Sequence, residues 1–177
     1  MRCAGVAKRF IYARFSDKAA LFVAAVEHNF LGRMEALHNI APSPRGPEWG
    51  LVELGRALLD LALQPDVIAL QRLFLGVAPQ FPDLARRLIE RNRERGGLKE
   101  VERVLRFYAE RGEIELHDPR LMTEQFFISI VGIPQRLALA GLRETSYEEA
   151  RRLRMAVHLF VNGCRPRANA ADKQTPP

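Results

Sequence analysis

Residues 4–22 read AGVAKRFIYARFSDKAALF, and they decide how the rest of the chain is interpreted. Gly5 permits a tight turn, because glycine adopts backbone conformations that other residues avoid. After it, apolar side chains recur at helical spacing and predict a short helix over about 6–15, with basic side chains on its other face. Asp17, or the serine before it, can cap a second helix over about 17–39. The N-terminal part is therefore predicted to be helical and basic.

The same stretch resembles the turn, recognition helix and following helix of the TetR/AcrR-type transcriptional regulators. These proteins share a pattern of roughly Ala-Gly-Val-Ser-Lys-x-x-hydrophobic-Tyr-x-x-Phe-x-x-Lys-x-x-Leu-Phe. The matching positions, in order, are Gly5, Val6, Lys8, Tyr12, Phe15, Lys18, Leu21 and Phe22. The resemblance implies an all-α protein in which a helix-turn-helix DNA-binding domain is followed by a helical ligand-binding and dimerisation domain.

The resemblance also implies which side chains meet DNA. Lys8, Arg9, Phe10 and Tyr12 would face the major groove from the recognition helix, and Lys18 would lie on a phosphate. The alternative is a basic face that is simply solvated. The formal net charge of +6 is compatible with both interpretations.

The start of the chain departs from the family pattern. Few residues precede Gly5, whereas a helix-turn-helix needs a first helix that holds the recognition helix against DNA. We therefore expect residues 1–40 to form a partial, truncated DNA-binding domain, with impaired operator binding. Operator DNA is an expected partner if the N-terminus is completed.

Residues 41–47, APSPRGP, separate this N-terminal unit from the rest, because prolines and glycine cannot continue a helix. Beyond them the chain has helical periodicity, without the two-residue alternation of a strand. The predicted helices cover about 48–63, 65–78, 81–111 with a break at Gly96-Gly97, 118–140 and 146–162. We expect an effector-binding and dimerisation domain over 48–163 and a disordered tail over 164–177.

The middle of the chain carries a second resemblance. The stretch 72–112 contains Phe-Pro-x-Leu-Ala and ends in the first residues of Arg-Gly-x-Ile (111–114), similar to the C-terminal domains of AefR-type members. The resemblance implies a small apolar or amphipathic effector held among these helices. The candidate pocket residues are Trp49, Phe74, Val77, Phe107, Phe126 and Ile130. The alternative for each is ordinary core packing.

The last two predicted helices are the candidate dimer interface. The resemblance implies a homodimer, and a two-fold protein suits a palindromic operator. The candidate interface residues are Val131, Leu137, Leu153, Val157 and Phe160. The alternative is that these apolar positions pack within one chain.

Several classes of protein are disfavoured by composition and motifs. Two cysteines in 177 residues fit a reducing cytoplasm rather than a disulfide framework. No apolar run approaches the ~20 residues that span a bilayer, so no membrane partner is expected. The histidines show no metal-ligand spacing, and no catalytic or phosphate-binding motif occurs. We therefore expect no metal, no cofactor and no enzymatic activity.

The sequence thus predicts a cytoplasmic, ligand-responsive transcriptional regulator, a repressor by resemblance. The alternative function is a dimerisation and ligand-binding fragment that does not bind DNA. Salt-dependent DNA binding separates the two.

Overall fold

The computed structural model describes residues 37–166, apart from four side chains on its second and third helices. This part is helical and contains no strand, which confirms the predicted all-α class. The helices are α1 (Pro47–Ala62), α2 (Pro65–Val77), α3 (Pro82–Arg95), α4 (Gly97–Glu110), α5 (Pro119–Leu139) and α6 (Ser146–Gly163), with a 3-10 turn at Ala78–Gln80 between α2 and α3.

The helix boundaries follow from local chemistry. Four helices start with proline in the first turn, where its missing N–H is no loss. The Asp118 side chain caps α5 by accepting a hydrogen bond from Leu121 N at 3.0 Å. Thr145 and Glu148 form a reciprocal capping box at the start of α6. Gly112 follows the end of α4 with a φ of 69°, which favours glycine.

The hydrophobic core is built around α1, which packs against α4, α5 and α6. Leu51 and Leu54 of α1 are fully buried, as are Val101 and Leu105 of α4. Gly55 lets α1 and α6 approach closely, since a Cβ there would lie 2.6 Å from Leu153 Cδ1. The core therefore holds α1 as a central helix with the later helices around it.

Within residues 37–166, no single helix is long and apolar enough to cross a membrane. The helices α1 and α2 together have the length and apolar composition of a membrane span, but a 69° bend separates them.

Candidate functional site

The candidate pocket residues do not gather in one place. Phe126 and Ile130 lie in the core, with exposed fractions of 0% and 1%. Trp49 lies on the surface under the guanidinium of Arg45, which is 3.8 Å from the ring centroid. Phe107 is also on the surface.

Two further pocket candidates belong to α2. Phe74 is half-buried, and Val77 ends the helix, its side chain lying outside the described part of the structure. The pocket assignment as a whole stays a prediction, with Phe126 and Ile130 placed where ordinary core packing also accounts for them.

The candidate dimer residues lie mainly inside the chain's own core. Val131, Leu153 and Val157 have exposed fractions of 2% or less, so none of them is available to a second subunit in this conformation. Phe160 packs edge-to-face on Phe126 with ring centroids 5.0 Å apart, and Leu137 is half-buried. The dimer assignment of these residues stays a prediction, because helical spacing shows that a face is apolar and does not say whether the same chain or a second subunit covers it.

Other apolar residues on α5 and α6 face outward. Met155 and Leu159 lie on the side of α6 opposite its buried stripe and are 53% and 65% exposed. On α5, Leu121 and Ile128 are similarly exposed. These positions are not among the predicted interface residues. The sequence of α6 does indicate them, because it places apolar residues on both faces of the helix.

The segment before α1, which includes His38 and Ile40, packs along one face of α4. The Glu100 carboxylate, 8% exposed, accepts a hydrogen bond from Arg103 Nε at 2.8 Å and lies 3.0 Å from His38 Nδ1. Arg103 also donates to the carbonyl oxygen of Ile40 at 2.9 Å. Burial raises the pKa of Glu100, but the hydrogen bonds and charges of Arg103 and His38 outweigh it and lower this pKa below its ordinary value. The residues just before α1 are therefore held on α4 by hydrogen bonds to Glu100 and Arg103.

A second contact holds the same segment farther along α4. The buried Tyr108 hydroxyl accepts a hydrogen bond from Ser43 N at 2.9 Å and donates to Ser43 O at 3.2 Å. Burial raises the pKa of Tyr108, so the phenol stays protonated and able to donate. Gly50 of α1 makes room for it, because a Cβ there would lie 1.9 Å from the Tyr108 hydroxyl oxygen.

Polar contacts also join α2 to the C-terminal end of α5. Arg72 donates to the carbonyl oxygens of Ala138 at 2.8 Å and Leu139 at 2.9 Å. Gln71 Nε2 donates to Gln135 Oε1 at 3.2 Å. A guanidinium at this end of a helix satisfies free carbonyls and opposes the negative end of the helix dipole. The N-terminal part of α5 contacts α3 instead, through Glu124 and Arg93.

The contact between α3 and α5 is a cluster of charged side chains, Arg93, Arg120 and Glu124, with buried polar atoms beside it. Arg93 of α3 donates to Glu124 Oε1 of α5 at 2.6 Å, and Arg120 lies 3.5 Å from the same oxygen. Arg93 Nε and Thr123 Oγ1 are buried without a hydrogen-bond partner among the described residues. Thr123 is itself only 3% exposed. Two arginines therefore share the carboxylate of Glu124.

The remaining predictions concern DNA and metals. Lys8, Arg9, Phe10, Tyr12 and Lys18 lie outside the described residues, and so does the expected truncation. The DNA contacts therefore stay a prediction. Between residues 37 and 166, no group of three or more His, Cys, Asp or Glu side chains is arranged to hold a metal ion.

The helical domain is similar to known regulators. The family model for the C-terminal domain of AefR-like transcriptional repressors matches residues 49–163. The structure of a TetR-family transcriptional regulator from Mesorhizobium loti MAFF303099 superposes with a TM-score of 0.69 at 25% identity, over 88% of this chain and 79% of that one. The flavonoid-responsive regulator FrrA superposes with a TM-score of 0.69 at 26% identity, over 93% of this chain and 84% of that one. No curated protein matches the chain.

Proposed function

Because the chain belongs to the TetR-type regulators, with the C-terminal domain of the AefR-like repressors, we propose that it is a ligand-responsive, DNA-binding repressor. The family match carries this proposal, since it spans nearly all of α1 and continues through α6. Members of this family are transcription factors rather than enzymes. We place its action in the cytoplasm, as a homodimer on operator DNA.

The proposed response requires two arrangements of the N-terminal domain that differ in their fit to DNA. An effector lowers DNA affinity only if it binds the poorly fitting arrangement more tightly. The contacts of α4 support it as the connecting element. Through Glu100, Arg103 and Tyr108 it holds the segment that joins residues 1–36 to the helical domain.

The proposed dimer uses the exposed faces of the last two helices. Met155 and Leu159 on α6, with Ile128 on α5, are large apolar side chains at or above half exposure. Full burial of such a side chain contributes about 1.5–3 kcal/mol, so covering several of them against a second copy would support a stable dimer. The family resemblance, which implies a four-helix bundle between subunits, points to the same two helices.

The effector class is suggested by one of the similar structures. FrrA is named for its response to flavonoids. We therefore propose a planar aromatic molecule with polar substituents as the first effector class to test. The half-buried rings Phe74 and Phe127 support this choice, because aromatic side chains pack well on aromatic ligands.

DNA binding is tested by selecting bound sequences from a random duplex library and measuring their affinity by fluorescence anisotropy over a salt series. Each phosphate contact contributes about −0.9 to the slope of log K against log salt. Lys18→Ala should weaken binding and flatten the slope by about 1.

Arg86→Ala is the matched control, because Arg86 is exposed on α3 and pairs with Asp83. Unchanged binding by Lys18→Ala would contradict the assigned contact. A chain that dimerises and binds ligand but selects no sequence would instead be the dimerisation and ligand-binding fragment.

The dimer is tested by sedimentation. Leu159→Glu places a charge in the proposed interface and should yield monomers that keep their helical circular dichroism. Leu73→Glu on α2, at 53% exposure, is the matched control and should stay dimeric. A dimeric Leu159→Glu variant would exclude this face of α6 as the interface. Val157→Glu is unsuitable, because Val157 is fully buried and the substitution would unfold the chain.

A further inference from the structure

We propose that Thr123 and Arg93 form the polar end of the effector site and bind one oxygen atom, a hydroxyl or phenolate, of an otherwise apolar aromatic ligand. This inference rests on the proposed function, because it requires the helical domain to bind a small molecule. It adds the residues that recognise the ligand and the chemical group they recognise.

The first observation is the unpartnered hydroxyl of Thr123. The side chain is 3% exposed, and its Oγ1 has no hydrogen-bond partner within the described residues. A buried hydroxyl without a partner is destabilising, and buried polar groups in native proteins are usually satisfied. Valine has nearly the same shape without this cost. The hydroxyl therefore does not serve the packing of α5, and a ligand oxygen would provide the partner that it lacks.

The second observation is the unpartnered Nε of Arg93. Its guanidinium reaches α5 through Glu124, the residue next to Thr123, and thereby lies at the same end of that helix. The Nε–H is buried and free to donate. Arg120 lies 3.5 Å from the same carboxylate oxygen, so two guanidinium groups face one carboxylate. The buried Nε–H of a guanidinium favours an electron-rich oxygen over a cationic group.

The neighbours of Thr123 on α5 indicate the rest of the ligand. Phe127 follows Thr123 by one helical turn on the same side of the helix and is half-buried, whereas Phe126 and Ile130 on that side belong to the core. A half-buried aromatic ring beside two polar donors suits an aromatic scaffold with one anchoring oxygen. In this arrangement, Arg93 Nε–H donates to the ligand oxygen and Thr123 Oγ1 exchanges a hydrogen bond with it.

The test uses isothermal titration calorimetry with two probes, flavone and 7-hydroxyflavone, on the full chain without DNA. Wild-type protein should bind 7-hydroxyflavone about tenfold more tightly than flavone, as expected for one hydrogen bond to a charged donor. Thr123→Val should reduce that preference about tenfold while leaving the melting temperature equal or higher. Arg93→Lys keeps a positive charge beside Glu124 but removes the Nε donor. It should also reduce the preference for 7-hydroxyflavone.

The matched control lies on the same helix. Ser129→Ala removes a hydroxyl that donates to Phe126 O. This variant should bind the probes as wild type does.

The inference would be overturned by wild-type protein that binds neither probe, by wild-type binding without a preference, or by a Thr123→Val variant that retains the preference. A lower melting temperature for Thr123→Val would also overturn it, since the hydroxyl would then have a partner in the free protein. Because DNA is absent from the assay, a failure of DNA binding would refute the repressor role and leave this inference standing.

Discussion

Gly50→Ala is expected to destabilise the helical domain, although alanine is the better helix former. Gly50 lies in the first turns of α1, against the buried hydroxyl of Tyr108. The new Cβ would lie 1.9 Å from that oxygen, 3.0 Å from Tyr108 Cζ and 3.0 Å from Ser43 N. The tyrosine must therefore move, and its two hydrogen bonds to Ser43 must break or lengthen.

The expected magnitude follows from opposing contributions. Replacing a helical glycine with alanine stabilises by about 1 kcal/mol. Leaving the buried Ser43 groups without their tyrosine partner costs about 1–3 kcal/mol. Forcing extra volume into packed surroundings costs about another 1–3 kcal/mol. We therefore expect a net loss of about 3 kcal/mol in the free energy of unfolding, which lowers the melting temperature by about 6–12 °C in a chain of this size.

Urea denaturation followed by circular dichroism, at fixed protein concentration, measures this loss. Gly76→Ala is the matched control, because its Cβ would meet nothing within 4 Å and the change should stabilise slightly. Tyr108→Phe removes the clashing oxygen, so adding Gly50→Ala to it should cost about 1–3 kcal/mol less than in wild type. Equal or greater stability of Gly50→Ala, or strict additivity with Tyr108→Phe, would refute the reasoning.

Three further predictions concern single side chains. Glu100 has a lowered pKa, so its charged form stabilises the fold above the unfolded-state pKa of about 4.5. In acid unfolding, the free energy of unfolding should fall as the pH drops below that value. Glu100→Gln should reduce this pH dependence. Thr145→Ala removes the α6 capping box and should cost about 1 kcal/mol in urea unfolding, while NMR titration should find the lowered pKa of Glu148 moving back up. Burial raises the pKa of the Cys164 thiol, so in a Cys3→Ser background it should react slowly with a thiol reagent until urea unfolds the chain; rapid labelling of the native protein would contradict the buried position.

The helices of the described region were predictable from short-range chemistry. The helix predicted over about 118–140 matches α5, which begins at Pro119 after the capping residue Asp118, and the break predicted at Gly96-Gly97 separates α3 from α4. Capping and proline rules operate over a few residues, so they can be applied to a sequence without knowledge of its neighbours in space. Leu153 and Val157, two of the apolar candidates predicted on the last helix, lie four residues apart on one face of α6, and both are buried.

Contacts between residues that are distant in sequence could be identified only from the tertiary structure. The stripe of Leu153 and Val157 packs on the chain's own α1, while Met155 and Leu159 remain exposed on the other side of the same helix. Periodicity reports that a face is apolar and gives no information about what covers it, because the covering residues are far away in sequence.

The same holds for the polar contacts. Glu100 contacts His38, and Arg93 contacts Glu124, only because the fold brings together segments that are distant in sequence. The sequence by itself determined the helix boundaries, the apolar faces and the family resemblance, since each is written in neighbouring residues. Which faces are buried in the protomer, and which polar atoms are left without partners, was decided by three-dimensional packing, because burial is a property of the whole assembly of helices.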